Sequence, residues 1–213
     1  MSLAYDTAVG LVRSLYDRSI TTPPVLDPVR YFPNATRFTE RWHDIRSEAL
    51  ATAAELKNIP RFHDIMPQQR DISANDGRDW RMLILKAYGV EIPQNLRRCP
   101  TIASLLEQTP EAVSCILSFL APGKHIPVHR GPFRGILRLH LMLSMSHDEM
   151  GRPACVMEID SVPYDWPTAK RCCGTTPTHT KCGTAAARSA SRYSLMSGGK
   201  ICRSTSSCSR GRL

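Results

Sequence analysis

The stretch 136–143 carries the residues with the most chemical potential. In a strand, where side chains alternate, Ile136, Arg138, His140 and Met142 fall on one face and Leu137, Leu139, Leu141 and Leu143 on the other. An arginine and a histidine two apart, on a face that also carries apolar residues, do not suit a plain core. They suit a cavity that takes an anion or a metal. His129, in the loop expected before this strand, can point into the same cavity. A lone strand histidine is more often a satisfied core residue, and a loop histidine a solvated one, so alternation alone does not decide the matter.

The elements that must position these residues follow from periodicity. Residues 112–120 read as a strand that is apolar on both faces except at Ser114 and Ser118, and Pro122-Gly123 turns the chain after it. Phe38, Trp42, Ile45, Ala49, Ala53 and Leu56 step by three and four, which predicts an amphipathic helix over 38–59, stopped before Pro60. Trp42 reads as a core anchor of that helix. Tyr5, Val9, Val12 and Tyr16 predict an earlier helix over 2–18, ended at Thr21-Thr22-Pro23-Pro24. Residues 25–36 read as an extended connector, and 61–79 as polar and irregular with a turn at Asn75-Asp76-Gly77. Further strands are expected over 80–88 and 154–159, and a short helix over 102–108. Helices first and antiparallel strands after them give an α+β class, with helices on one face of a β-sandwich or barrel.

The order of the motifs narrows this. Pro122-Gly123, His129-Arg130-Gly131-Pro132 and Arg138-Leu139-His140-Leu141 resemble the core of the aspartyl/asparaginyl β-hydroxylase family. Cys99-Pro100-Thr101, Leu105-Leu106-Glu107 and Pro110-Glu111 resemble its approach to that core, and the likeness covers 38–166. The resemblance implies an enzyme dependent on Fe(II) and 2-oxoglutarate, with N-terminal helices packed on a double-stranded β-helix, or jelly roll. Such enzymes leave coordination positions open for cosubstrate and O2. Gly131 stands where the carboxylate of a His-x-Asp motif would fall, and the resembled family holds its iron with two histidines alone. His129 matches the first of these. Arg138 and His140 match the pair that contacts the 2-oxoglutarate carboxylate near the metal, a role that suits a guanidinium fork and an imidazole donor. Ser118 matches a hydroxyl contact to the distal carboxylate, though a strand serine bonding locally is as ordinary. His125 reads as a loop residue, and Arg130 and Arg134 as solvated. The implied reaction is hydroxylation of a peptide Asp or Asn side chain, coupled to oxidative decarboxylation of 2-oxoglutarate. Relatives of similar sequence hydroxylate lipid acyl chains, so the expected partner is a peptide or protein, with an acyl lipid as the alternative.

Charge and cysteine divide the chain at about residue 166. The net charge is +9, but residues 167–213 hold nine Lys or Arg and no Asp or Glu, leaving 1–166 formally neutral. A basic excess confined to the tail argues against a nucleic-acid partner, and a non-catalytic basic protein that binds nucleic acid through this tail stands as the alternative from another class. Cys99, Cys115 and Cys155 lie before the division and five cysteines after it, with no C-x-x-C pair. Scattered body cysteines fit buried thiols in a reducing compartment. No leader or membrane span is evident, and a cytoplasmic address is expected. The organisation read from this is 1–36 helix and connector, 37–166 an incomplete jelly roll, and 167–213 a disordered tail, its few large apolar residues being too sparse to offset ordering entropy.

The second histidine strand and the closing arginine strand of the resembled family are not visible after Trp166. A shifted reading frame accounts for both. The codons of residues 171–184, read one frame over, permit Met-Leu-Trp-Asp-Asp-Thr-Tyr-Pro-His-Glu-Val-Trp-Asn, which resembles the family's second-histidine segment. Those of residues 192–203 permit Val-Leu-Leu-Asp-Val-Trp-Arg-Glu-Asp-Met-Pro, which resembles its closing strand. Loss of one nucleotide, or gain of two, just after Trp166 would give the tail as it reads. His179 lies beside the place where the missing histidine is encoded, but its neighbours Thr178 and Thr180 do not recreate that strand.

Overall fold

A computed structural model of the chain describes residues 23–129, 136–145 and 150–164, a few positions outside these runs, and the backbone of 171–175, 180–184 and 194–202. The helical layer forms much as its periodicity predicts. Helix Trp42–Ala54 buries Ile45 and Ala49, and helix Ala35–Glu40 before it buries Phe38. The single helix expected over 38–59 is instead two helices meeting at Arg41, whose φ of −95° and ψ of 19° leave the helical region, followed by a 3-10 turn at Leu56–Asn58. Helix Pro100–Glu107 starts with proline, whose fixed φ suits a first helical turn.

The segment 25–36 is not a plain connector. It contains strand β1 (Val25–Leu26) and helix Pro28–Tyr31, capped by the Asp27 carboxylate, which accepts from Val29 N–H at 3.0 Å. Residues 61–79 likewise hold short helices at Phe62–Ile65 and Arg70–Ser73. Helices of four residues are too short to carry a legible period, so the sequence shows only their polarity. At the described positions of the N-terminal helix, Thr7, Ala8, Gly10, Leu11, Ser14, Leu15 and Arg18 are helical and exposed; Tyr5, Val9, Val12 and Tyr16 lie outside the described residues.

The remaining strands are β2 (Trp80–Ala87), β3 (Val90–Glu91), β4 (Ala112–Leu120), β5 (His125–His129), β6 (Ile136–Ser144), β7 (Cys155–Ile159), β8 (Val162–Tyr164), β9 (Arg171–Thr175), β10 (Thr180–Thr184) and β11 (Ser194–Cys202). They form two antiparallel sheets, a larger one ordered β1-β9-β6-β11-β4-β2-β3 and a smaller one ordered β5-β10-β7-β8. The larger sheet is the middle layer. On its helix side, Leu137, Leu139, Leu141 and Leu143 of β6 join Leu117 and Phe119 of β4 and Leu83 and Leu85 of β2, against Ile45, Ala49, Ile102 and Leu106 of the helices. Burying each such leucine contributes roughly 1.5–3 kcal/mol. On its other side, Met82 and Met142 pack with Ile126, Cys155, Met157 and Ile159 of the smaller sheet, and with Phe62 and Ile72. The class is α+β. Cys99, Cys115 and Cys155 are buried, as expected.

The composition of 167–213 leads one to expect no ordered structure and a sheet that stops short. The structure instead pairs the backbone of three segments there. β11 lies between β4 and β6, β9 beside β6, and β10 between β5 and β7. Ladder pairing uses backbone N–H and C=O groups that every non-proline residue carries, so it asks little of side-chain composition. The facing edges of β4 and β6 are thus both paired, with β11 filling the one-strand space between them.

Candidate functional site

β6 presents Arg138 and His140 away from the helices, toward the smaller sheet. The alternation that buries four leucines on the far side leaves these two no other direction. Both keep partial contact with solvent while sitting deep among other atoms, as residues lining a recess do. β6 is held from behind by Trp42, whose indole N–H donates to the Met142 carbonyl at 2.8 Å. That bond falls where the β6–β11 register shifts, Ser144 pairing with Leu195 and Met142 with Met196, so Leu143 is an extra residue. Trp42 is a core anchor, as its helical position predicts.

The electrostatics bring the predicted residues together. The His140 imidazole is pushed down to about 4, first by burial, then by the Arg138 guanidinium and by His129. It is therefore neutral near neutrality and offers one N–H donor. Burial also lowers Arg138, and Tyr88 opposes that shift. Among the described residues no ion pair reaches Arg138. A buried guanidinium without a carboxylate is costly unless an anion arrives.

His129 is not in a loop. It is the last residue of β5, and His125, also expected in a loop, is the first. A β-bulge decides where His129 faces. Thr180 of β10 pairs with His129 and Cys182 with Ile126, so two steps along β10 match three along β5. The extra residue puts Ile126, which is buried against the core, and His129 on one side, although simple alternation would part them. Pro127 sits inside the bulge, where a missing N–H breaks no ladder bond. His129 Nδ1 lies 2.9 Å from the Pro127 carbonyl oxygen. A carbonyl only accepts, so Nδ1 carries the hydrogen and Nε2 the lone pair, the tautomer a metal ligand needs.

Ser118 of β4 accepts a hydrogen bond from the Trp80 indole at 2.8 Å, and Trp80 stacks on Phe62 with centroids 4.1 Å apart. In the ladders Ser118 pairs with Met196, which pairs with Met142, while His140 pairs with Gly198, which pairs with Ile116. Ser118 thus sits two strands from β6 and two residues along from His140, on the same face. As an acceptor from Trp80 it keeps its own hydroxyl hydrogen to donate. Trp80 is a site residue the sequence did not reveal; it read only as the start of a strand. Arg130, Gly131, Arg134 and His179 lie outside the described residues.

Arg138, His140 and Ser118 offer a guanidinium, an imidazole and a hydroxyl on one face, donor types suited to carboxylates. For iron, His129 is the one expected ligand present, and among the described residues no three His, Cys, Asp or Glu come together.

A family model described as aspartyl/asparaginyl beta-hydroxylase matches residues 39–179. The chain belongs to that family. It is 36% identical over 121 residues to an ornithine lipid ester-linked acyl 2-hydroxylase of Rhizobium tropici, a match covering 57% of this chain and 42% of the relative. It is 28% identical over 123 residues to the human aspartyl/asparaginyl beta-hydroxylase, covering 52% of this chain and 15% of that protein. The chain thus spans less than half the length of either. A solved oxidoreductase of the 2OG-Fe(II) oxygenase family from Burkholderia pseudomallei aligns with a TM-score of 0.43 at 11% identity, covering 78% of this chain and 89% of that one. The family model and both relatives are named for hydroxylation. No helix among the described residues is long and apolar enough to cross a membrane.

Proposed function

We propose that Arg138, His140 and Ser118 bind 2-oxoglutarate on the inner face of the larger sheet, and that the two sheets are the halves of a jelly roll built for Fe(II)- and 2-oxoglutarate-dependent hydroxylation. The observation that carries this reading is the buried Arg138 guanidinium, without an ion pair among the described residues, flanked by a neutral His140 and by His129. The Arg138 fork takes one carboxylate through charge-assisted hydrogen bonds, His140 adds an N–H, and the Ser118 hydroxyl faces the other end of the molecule. His129, with its lone pair on Nε2, is the first iron ligand. Among the described residues no group of three His, Cys, Asp or Glu completes a metal site around it.

The reading frame accounts for the shortfall. The histidine permitted by the shifted frame is encoded across the codons of His179 and Thr180, and Thr180 pairs directly with His129 in the β5–β10 ladder. Directly paired positions of an antiparallel ladder share a face of the sheet. With one nucleotide lost, that histidine takes position 180 and so shares the face of the first ligand. On this reading the natural enzyme carries the shifted sequence after Trp166, and the chain as read is impaired.

Two substrate classes remain in view. A peptide Asp or Asn side chain follows the family's name, and a lipid acyl chain is favoured by the higher identity to the Rhizobium enzyme. The test compares the chain as read with one whose tail follows the shifted frame, each assayed for Fe(II)-dependent conversion of 2-oxoglutarate to succinate, with peptide and with acyl-lipid substrates. Turnover in the re-read chain alone is expected. Turnover in the chain as read sinks the account of its tail, and turnover in neither sinks the enzymatic reading.

A further inference from the structure

Lys124 is a lysine with no exposed surface, placed in the turn that leads into β5. Its Nζ donates to the Ser73 carbonyl at 2.8 Å, to Asn75 Oδ1 at 2.8 Å and to Asp76 Oδ1 at 2.7 Å. The same two side chains then reach the next residue of the strand. Asp76 Oδ2 accepts from His125 N–H at 2.7 Å, and Asn75 Nδ2 donates to the His125 carbonyl at 3.1 Å. Burial works to raise the Asp76 carboxyl, but bonds from Lys124 and from the His125 and Arg78 amides outweigh it and hold it below its usual value. The turn and the loop are also pressed together. Gly123 has φ of +74°, and a Cβ there would lie 3.0 Å from Arg78 Nε.

A buried ion pair is weak evidence of stability, because apolar residues of similar size often serve as well. What this one does depends on where it sits. Among the described residues β5 is an edge strand, paired with β10 alone. A strand held on one side can slip, and a slip of one residue sends every side chain to the other face. Asn75 and Asp76 take up both backbone groups of His125 on the open edge, and Lys124 fixes those two side chains in place. Counted from that fixed point, the bulge at Pro127 brings His129 to the inner face.

We propose that Lys124, with Asn75 and Asp76, is a positioning cluster that locks the register of β5 and so aims His129 at Arg138 and His140. The inference rests on the reading of His129 as a functional group of the site. Lys124 acts through β5 and touches no reacting atom.

The test uses the full chain with labelled histidines. In Lys124→Met the His125 amide exchanges with solvent roughly tenfold faster or more, the effect of losing one charge-assisted hydrogen bond, and the His129 ring signals move. Because Lys124→Met strands the Asp76 charge, Lys124→Met/Asp76→Asn is measured beside it. That pair of changes removes the ion pair but keeps an acceptor oxygen for the His125 amide, so melting stays within a few degrees of the parent while the His129 signals still move. Asn75→Ala, at an exposed position, gives the same displacement in smaller degree. A double variant that keeps both the His129 signals and the His125 protection overturns the proposal, since the cluster is then only structural. Titrating the parent with Mn(II), read as broadening of the His129 ring signals, addresses the metal reading by itself. Absence of broadening removes the metal role of His129 and leaves the register result to stand on its own.

Discussion

Arg138 and His140 lie two residues apart on one strand and answer to burial in different ways. Arginine keeps its charge under almost any desolvation, so Arg138 demands an anion. Histidine gives up its charge, so His140 becomes a neutral donor. Replacing Arg138 with Gln is expected to weaken 2-oxoglutarate binding by about 10- to 100-fold, the range for one charge-assisted contact. Calorimetric titration of both chains checks this, and an unchanged affinity removes Arg138 from the site. The His140 shift also has a consequence for stability. With its pKa at about 4 in the metal-free folded chain and near 6.5 when unfolded, His140 takes up a proton on unfolding between those values. The unfolded state binds more protons there, so stability falls as pH drops from about 6.5 to about 4. The loss is at most roughly 3 kcal/mol. Melting curves across that window should lose this slope in His140→Gln, while the contributions of the other histidines persist.

Single elements aim these residues, and their legibility differs for physical reasons. β6 was fully legible, because a strand with one face on a core shows its alternation in the sequence, leucine against Arg138 and His140. The helix it packs on was legible for the same reason at its longer period. Trp42 joins the two, and Trp42→Phe leaves the Met142 carbonyl without its donor. A cost of about 1–3 kcal/mol is expected, seen as a melting point lower by roughly 2–4 °C per kcal/mol; a Trp42→Phe chain that melts with the parent would mean water replaces the indole. β5 was not legible. Its bulge breaks the period, Pro127 argues against a strand, and the clamp on His125 comes from a loop some fifty residues earlier. His129 could be named from its neighbours in sequence, but not the way it faces. Ser118 was named without its partner, since the Trp80 bond depends on the pairing of β2 with β4.

For the molecule as a whole, the tail decides whether the two sheets are closed well. β11 occupies the centre of the larger sheet, with β4 on one side and β6 on the other. A strand in that position is covered on both faces, and such strands are ordinarily runs of large apolar residues. This one reads SLMSGGKIC, with Gly198-Gly199 and Lys200 at its middle. Glycine in a strand interior adds chain entropy to the unfolded state and brings no side chain to pack. The backbone therefore specifies a central strand where the residues argue against one, and local preference conflicts with the fold. The shifted reading eases the conflict over the first half of the strand, since Val-Leu-Leu-Asp-Val-Trp opens with the apolar, β-favouring residues a central strand wants, and it replaces both glycines, though Arg-Glu-Asp follows. A chain carrying that tail is expected to melt higher than the chain as read by at least roughly 5 °C, taking about 1 kcal/mol for each glycine replaced and further gain from burial. It should also unfold in one sharper transition, because both sheets then share a packed seam. Scanning calorimetry of the two chains measures this without any substrate or metal. Equal melting points would mean that the tail as read already closes the sheet, and the frame account would then have to rest on catalysis alone.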